Sequence, residues 1–299
     1  MIEIQNLSKS FEDVLAVNLV SVNINKGCVF GLLGTNGAGK STLLRMMAGI
    51  LKPDSGQVRL ENEVIFENDA AKSKISYIGD DQYFFPNSTP LQLEEFYAHI
   101  YSGFDHQEFR RLLEIFHLDP KRKVNSFSKG MKKQLSLFLG LASGTPYLLC
   151  DETFDGLDPV ARQAVKSLLA SAMAERGLCS VIASHSLREL EDICDHIGLL
   201  HQGGLLLSRD LEDMKLSVHK VQAVFPEIIG PEQLSHLELV SMKQNGRLQT
   251  IILRGEREQV EEAISKLSPI FMELLPLSLE EVFISETEVA GYAFRELIL

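Results

Sequence analysis

Residues Gly34-Thr35-Asn36-Gly37-Ala38-Gly39-Lys40-Ser41-Thr42 stand between an apolar run, Cys28 to Leu33, and a helical apolar pattern at Leu43, Leu44, Met46 and Met47. The run predicts a buried strand and the spacing after it a helix. Glycines between the two let successive backbone amides curl around an anion, and the helix start adds its unpaired N–H groups and positive dipole end. Lys40 contributes a full positive charge. Ser41 carries a hydroxyl where a magnesium ion bridging outer phosphates needs a ligand. The stretch is a phosphate-binding loop.

Composition bounds what surrounds this loop. The 299 residues are 45% hydrophobic and 23% charged, enough for one large domain and a small one rather than a disordered chain. Asp and Glu number 41 against 29 Lys and Arg, a formal net charge of -12, so the summed field opposes broad binding to nucleic acid or anionic membrane. No nucleic-acid partner is expected. Cys28, Cys150, Cys179 and Cys194 lack paired metal-ligand spacing and read as reduced, structural residues. The chain opens without a basic and apolar leader and contains no run of about 18 apolar residues. These features predict a cytoplasmic protein that spans no membrane itself.

Before the loop, Val20, Val22 and Ile24 alternate with polar residues as a half-buried antiparallel strand. Phe11 precedes it in a polar segment, where core packing and stacking on a base are equally open readings. After the loop helix, short strands are predicted at Gln57 to Leu60, Val64 to Phe66 and Ile75 to Ile78. Composition then turns helical from about residue 88 to 142. Thr89-Pro90-Leu91-Gln92 forms a capping box, and Phe109, Leu112, Leu113 and Phe116 give one apolar face to a second helix started by Asp105. A third helix opens at Ser128-Lys129-Gly130-Met131, a start able to hold an anion or simply to cap itself.

Tyr147 to Cys150 is a short apolar strand ending in Asp151-Glu152, and Ser180 to Ala183 is another ending in Ser184-His185. Ligands of open parallel sheets bind beyond the strands' carboxyl ends. Asp151 can therefore reach the magnesium while Glu152 polarises a water, with His185 converging on the same place. A hairpin around Gly203-Gly204 closes this domain near residue 215. From 218 to 299 alternating strands, a helix from about Glu256 to Leu267 and a capped Ser278-Leu279-Glu280-Glu281 helix predict a small α+β appendage without a chemical motif.

Taken in order, the phosphate loop, the Ser-Lys-Gly-Met signature, Leu148-Leu149-Cys150-Asp151-Glu152, Gly156-Leu157-Asp158 and Ser184-His185 resemble the ATPase subunit of an ABC transporter over residues 1–215. The signature form, the helical region and the appendage are most similar to subunits of multidrug or peptide-antibiotic exporters. The resemblance implies an α/β P-loop core with an antiparallel subdomain and a helical insertion. It also implies ATP and Mg2+ as ligands, and integral-membrane subunits as partners on the cytoplasmic face of the membrane. Phe11 would stack on adenine, and Gly34, Thr35, Asn36, Gly37, Ala38, Gly39, Lys40, Ser41 and Thr42 would hold the phosphates. Ser41 and Asp151 would serve the metal, Glu152 would be the general base and His185 would touch the terminal phosphate. Ser128 and Gly130 would contact ATP on an opposite subunit, with Asp158 along that seam, so that catalysis takes two chains, of one kind or two.

Two positions depart from the family pattern. Counting places Asp80 of Gly79-Asp80-Asp81-Gln82 where a glutamine is usual, and an ionised aspartate only accepts hydrogen bonds and adds negative charge near phosphate. Thr153 replaces a proline. ABC ATPases acting on ribosomes or DNA form the alternative class. One phosphate loop, no sustained heptads and an acidic balance weigh against it. A regulator of poor turnover, resting on Asp80 alone, is a third reading.

Overall fold

The computed structural model describes residues 1–154, 157–191, 193–275, 277–278 and 280–281, and the side chains of 215–217 lie outside that description. Two compact units divide between Ser208 and Arg209.

The first unit opens with β1 (Ile2–Phe11), β2 (Val14–Ile24) and β3 (Val29–Leu33), followed by α1 (Lys40–Met47). Then come β4 (Ser55–Leu60), β5 (Glu63–Val64), the one-turn α2 (Asp69–Lys72) and β6 (Ile75–Ile78). Helices α3 (Pro90–Ile100), α4 (His106–Ile115) and α5 (Lys129–Ala142) intervene before β7 (Tyr147–Asp151). The unit closes through α6 (Pro159–Arg176), β8 (Cys179–Ser184), α7 (Leu187–Glu191), β9 (His196–His201) and β10 (Gly204–Asp210).

Two sheets follow from two sequence patterns. Strands β3, β7 and β8 are buried at every position, as continuous apolar runs covered on both faces require. They lie in a six-stranded sheet of order β10-β9-β3-β8-β7-β6, whose β9-β3-β8-β7-β6 pairings are parallel. Strand β2 instead buries only Val17, Val20 and Ile24 among more exposed neighbours, and joins a four-stranded layer of order β2-β1-β4-β5. One core fuses the layers: Ile2, Ile4, Val17 and Val58 pack with Leu32, Leu43, Leu44, Leu149 and Val181. The second short strand stops at Val64 rather than Phe66, because the Ile65 amide bonds back to Val58 and Glu67 turns left-handed at φ 58°.

The three-helix segment starts where its caps are. Thr89 and Gln92 exchange side-chain-to-backbone bonds with Pro90 at the first helical position, and Asp105 and Ser128 accept from Glu108 N and Met131 N. Behind the caps, Phe109, Leu112, Leu113, Leu135 and Phe138 are buried.

The second unit contains α8 (Leu211–Ser217), β11 (Val218–Val224), β12 (Glu238–Asn245), β13 (Leu248–Arg254), α9 (Arg257–Lys266) and β14 (Phe271–Leu275). Its antiparallel sheet, in the order β12-β13-β11-β14, buries Val221 opposite Ile251, with Val260 and Ile264 of α9 in the same core. Ser278 and Glu281 form the reciprocal cap expected of the final helix. Leu279 between them, like the motif residue Gly156, lies outside the described residues.

Candidate active site

Strand register gathers the site. Leu33 lies opposite Ser184, Asp151 opposite Ala183 and Ile78 opposite Cys150. The carboxyl ends of β3, β8, β7 and β6 are therefore level, and the segments beginning at Gly34, His185, Glu152 and Gly79 leave one sheet edge together.

The phosphate loop is shaped by close backbone approaches. Gly37 and Gly39 adopt φ 83° and 101°. A Cβ on Gly39 would lie 2.1 Å from Ala16 O, and one on Gly34 would lie 2.5 Å from Leu200 O, so both positions exclude a side chain. The loop closes on itself through Ala38 N to Thr35 O at 3.1 Å. No side chain caps α1 at Gly39, so its first amides remain available to an anion. The buried Lys40 ammonium donates to Gly34 O at 2.7 Å and Thr35 O at 3.1 Å, and lies 3.2 Å from Glu152 Oε1.

The two carboxylates at the end of β7 have different surroundings. Asp151 is buried; its Oδ2 accepts from Tyr77 Oη at 3.4 Å, while Oδ1 has no hydrogen-bond partner among the described residues. Burial pushes the Asp151 carboxyl above its ordinary range; the Ser41 hydroxyl and Arg45 oppose this, and the Glu152 and Asp80 charges reinforce it. A buried oxygen without a donor, beside a serine hydroxyl, fits a hard divalent cation completed by phosphate oxygens and water. Three-residue clusters of His, Cys, Asp and Glu that could hold a metal ion are absent among the described residues.

Glu152 is the next residue, and its backbone turns left-handed at φ 48°. Its amide donates to Ala183 O at 3.0 Å, and its carbonyl accepts from Lys133 Nζ at 2.5 Å. The carboxylate bridges Lys40 through Oε1 and His185 Nδ1, 2.8 Å away, through Oε2. Lys40, Glu152 and His185 thus form one connected chain of charged and polar groups.

The remaining expected residues stand apart from that chain. Phe11 is exposed at the tip of the β1–β2 hairpin, opposite Val14, with Lys9 Nζ 5.6 Å from its ring centroid. The same hairpin brings Ala16 against Gly39. Ser128 and Asp158 spend their side chains capping α5 and α6, Asp158 accepting from Val160 N at 3.0 Å and Ala161 N at 2.9 Å. Gly130 lies in the first turn of α5. Asp80 is half-exposed and lies 3.1 Å from Lys133 Nζ, whereas Gln82 keeps a buried Nε2 without a partner among the described residues.

Lys133 and Tyr77 are neighbours of the site that sequence reading passes over. A Lys132-Lys133 pair suggests a solvated face, but Lys133 shares a helical stripe with Leu137 and Gly140, and that spacing marks it as inward-facing.

Residues 17–155 match the ABC transporter family. The ABC transporter ATP-binding protein YtrB of Bacillus subtilis (strain 168) is 33% identical over 286 residues, covering 96% of this chain and 98% of YtrB. The chain belongs to the ABC transporter ATP-binding family. The bacitracin transport ATP-binding protein BcrA of Bacillus licheniformis is 33% identical over 218 residues, 72% of this chain and 71% of BcrA. Among solved structures, the ATP-binding subunit of an ABC transporter superposes with a TM-score of 0.66 at 26% identity, covering 72% of this chain and 92% of that one. The ABC ATPase fold expected from sequence is the fold found, and the family binds and hydrolyses ATP to drive transport. No helix among the described residues is long and apolar enough to cross a membrane.

Proposed function

We propose that this chain powers export by a transporter whose pathway is built by separate integral-membrane subunits, on which it sits peripherally at the cytoplasmic face. Residues 1–215 serve as the ATPase domain and 218–299 as an accessory domain. The observation that carries the reading is the linkage of Lys40, Glu152 and His185 at the same sheet edge as Asp151.

ATP enters with its phosphates on the amides of Gly34 to Thr42, and Lys40 exchanges Glu152 for phosphate oxygens. Ser41 and Asp151 would hold Mg2+, which when bound supplies positive charge to the outer phosphates. Glu152, released from Lys40 but still held by His185, takes the proton of the attacking water on its carboxylate. His185, fixed through Nδ1, offers its other ring nitrogen to the terminal phosphate. Phe11 stacks on the base, and Asp80 senses the phosphate end. Ser128 and Asp158, whose side chains cap helices, and Gly130 in the first turn of α5 serve the nucleotide of a second ATPase chain, homologous or identical.

Exposed aromatic residues supply the surface for membrane subunits. Tyr83, Phe85 and Phe96 form a ladder with ring centroids 6.1 and 4.9 Å apart, joining the segment after Asp80 to α3, and Ile100 is exposed on the same helix. Export of a peptide antibiotic or similar compound is supported by the names of relatives such as BcrA and the lantibiotic transport protein SrtF of Streptococcus pyogenes.

The test has two arms. Wild-type protein should hydrolyse ATP only with magnesium, while Glu152→Gln should bind ATP, accumulate as dimers in light scattering and lose about 100-fold or more in turnover. A tagged chain recovered from detergent-solubilised native membranes should retain a polytopic protein in stoichiometric amount. Recovery of ribosomal or DNA-associated proteins instead would overturn the transport reading.

A further inference from the structure

The general base stands on a strained backbone, and the group supporting it is one the family pattern does not assign. Left-handed φ is unfavourable for a residue with a Cβ and persists where its surroundings over-determine it. Glu152, at φ 48°, is gripped from both sides of its peptide: Ala183 O takes its amide, and Lys133 Nζ donates to its carbonyl at 2.5 Å. Lys133 is 1% exposed, and a buried ammonium is costly unless its charge is compensated. That compensation includes Asp80, whose Oδ1 lies 3.1 Å away, the aspartate standing where a glutamine is usual.

Asp80 and Lys133 are complementary. A glutamine amide both donates and accepts, whereas an aspartate only accepts. A lysine reaching from α5 restores a donor and offsets the carboxylate's charge beside Asp151 and Glu152. We infer that Lys133 is a positioning residue for ATP hydrolysis: with Asp80 it forms an ion pair that ties the loop after β6 to the Glu152 peptide and fixes the aim of the Glu152 carboxylate. This rests on the reading of Glu152 as the base. It gives the chain a direct mechanical link from α5, which begins with the signature, to the catalytic carboxylate.

The test is a kinetic cycle. kcat and KM for ATP are measured for wild type, Lys133→Met, Lys133→Arg, Asp80→Gln, Lys133→Gln and the Asp80→Gln/Lys133→Gln double variant, with binding of a fluorescent ATP analogue followed in parallel. Lys133→Met, of similar length but without a donor, should lower kcat on the order of tenfold to a hundredfold by misaiming the base. Its KM should stay within about twofold, since phosphate contacts are untouched. Lys133→Arg should recover most of kcat. The double variant, with an amide at each position, should exceed Asp80→Gln alone, which keeps the Lys133 charge but takes the Asp80 carboxylate from beside it. A kcat for Lys133→Met within about twofold of wild type overturns the inference. So does strict additivity of Asp80→Gln and Lys133→Gln, which decides the matter even if the methionine variant does not fold. Failure of wild type itself to bind and hydrolyse ATP would overturn the underlying ATPase reading, an outcome separate from either of these.

Discussion

The Lys40 ammonium lies 3.2 Å from Glu152 Oε1, with 5% and 12% of the two side chains exposed. The cation of the phosphate loop and the carboxylate that ends β7 therefore hold each other in a shielded pair. Any phosphate bound in the loop competes with Glu152 for Lys40, so nucleotide arrival and release of the base are a single exchange.

Lys40→Ala removes both functions of that ammonium. ATP affinity should fall about 100-fold or more, the usual cost of deleting a buried charged partner. Stabilisation by ligand gives the readout: at 100 times its dissociation constant ATP adds about 2.7 kcal/mol to wild type. The same concentration should leave the melting temperature of the variant nearly unmoved.

Gly39→Ala tests the loop's backbone rather than its charge. A Cβ there meets Ala16 O at 2.1 Å in a residue held at φ 101°. Either the loop or strand β2 must shift, at a cost of about 2 kcal/mol or more from left-handed strain and overpacking together. Chemical denaturation should show the loss, and ATP binding should weaken although every charged group is retained. Gly37→Ala provides the contrast, since nothing lies within 4 Å of its Cβ and only its φ of 83° opposes the change.

Much of this arrangement was legible in the sequence because the parallel strands are covered on both faces and so appear as unbroken apolar runs. Ile75 to Ile78 is a strand over those residues, and Tyr147 to Cys150 falls one residue short of its strand. Helix starts were legible through chemistry, as at Thr89, Asp105 and Ser128. Strand β1 was not, because register shifts after Ile4 and Leu7 break the alternation that would announce it. Helix α6 escaped because its buried face is narrow, with Ala161, Val165 and Leu169 inside and Val160 exposed, although Asp158-Pro159 is a good start signal. The chemical residues could be named singly, but their union could not. It depends on strand order, and on α5 bringing Lys133 to the Glu152 carbonyl.

Glu94 should anchor the helical segment. Its carboxylate on α3 is 2% exposed and accepts from Arg110 Nε at 3.0 Å and lies 2.7 Å from His106 Nδ1, both on α4. Arg110 is mostly in solvent, so the energetic weight lies on the buried carboxylate. Glu94→Ala removes a hydrogen bond to each of two donors that water can reach and opens a small void, and should cost about 1–3 kcal/mol. Arg110→Ala should cost less, because His106 remains. Urea unfolding of both variants, with ATPase measured well below the transition, separates this clasp from the active site.

Acid stability should depend on Glu61. Hydrogen bonds first from Lys26 and then from Lys74 hold its carboxyl down at about 2, against an ordinary 4.5. Lys74 lies at 2.7 Å, and Tyr147 Oη donates from 3.3 Å. A carboxyl depressed by folding favours the folded state fully above the unfolded value of 4.5, progressively less as pH falls toward 2, and not at all below it. The side chain is about a quarter exposed and solvent screens its ion pairs, so the contribution near neutrality should be about 1 kcal/mol rather than the full amount implied by the shift. Glu61→Gln should therefore be less stable than wild type by that margin at pH 7. The difference should narrow through the window from 4.5 to 2, and denaturant midpoints at pH 7, 5, 4 and 3 would trace it. A constant gap across those values would assign Glu61 to packing rather than charge.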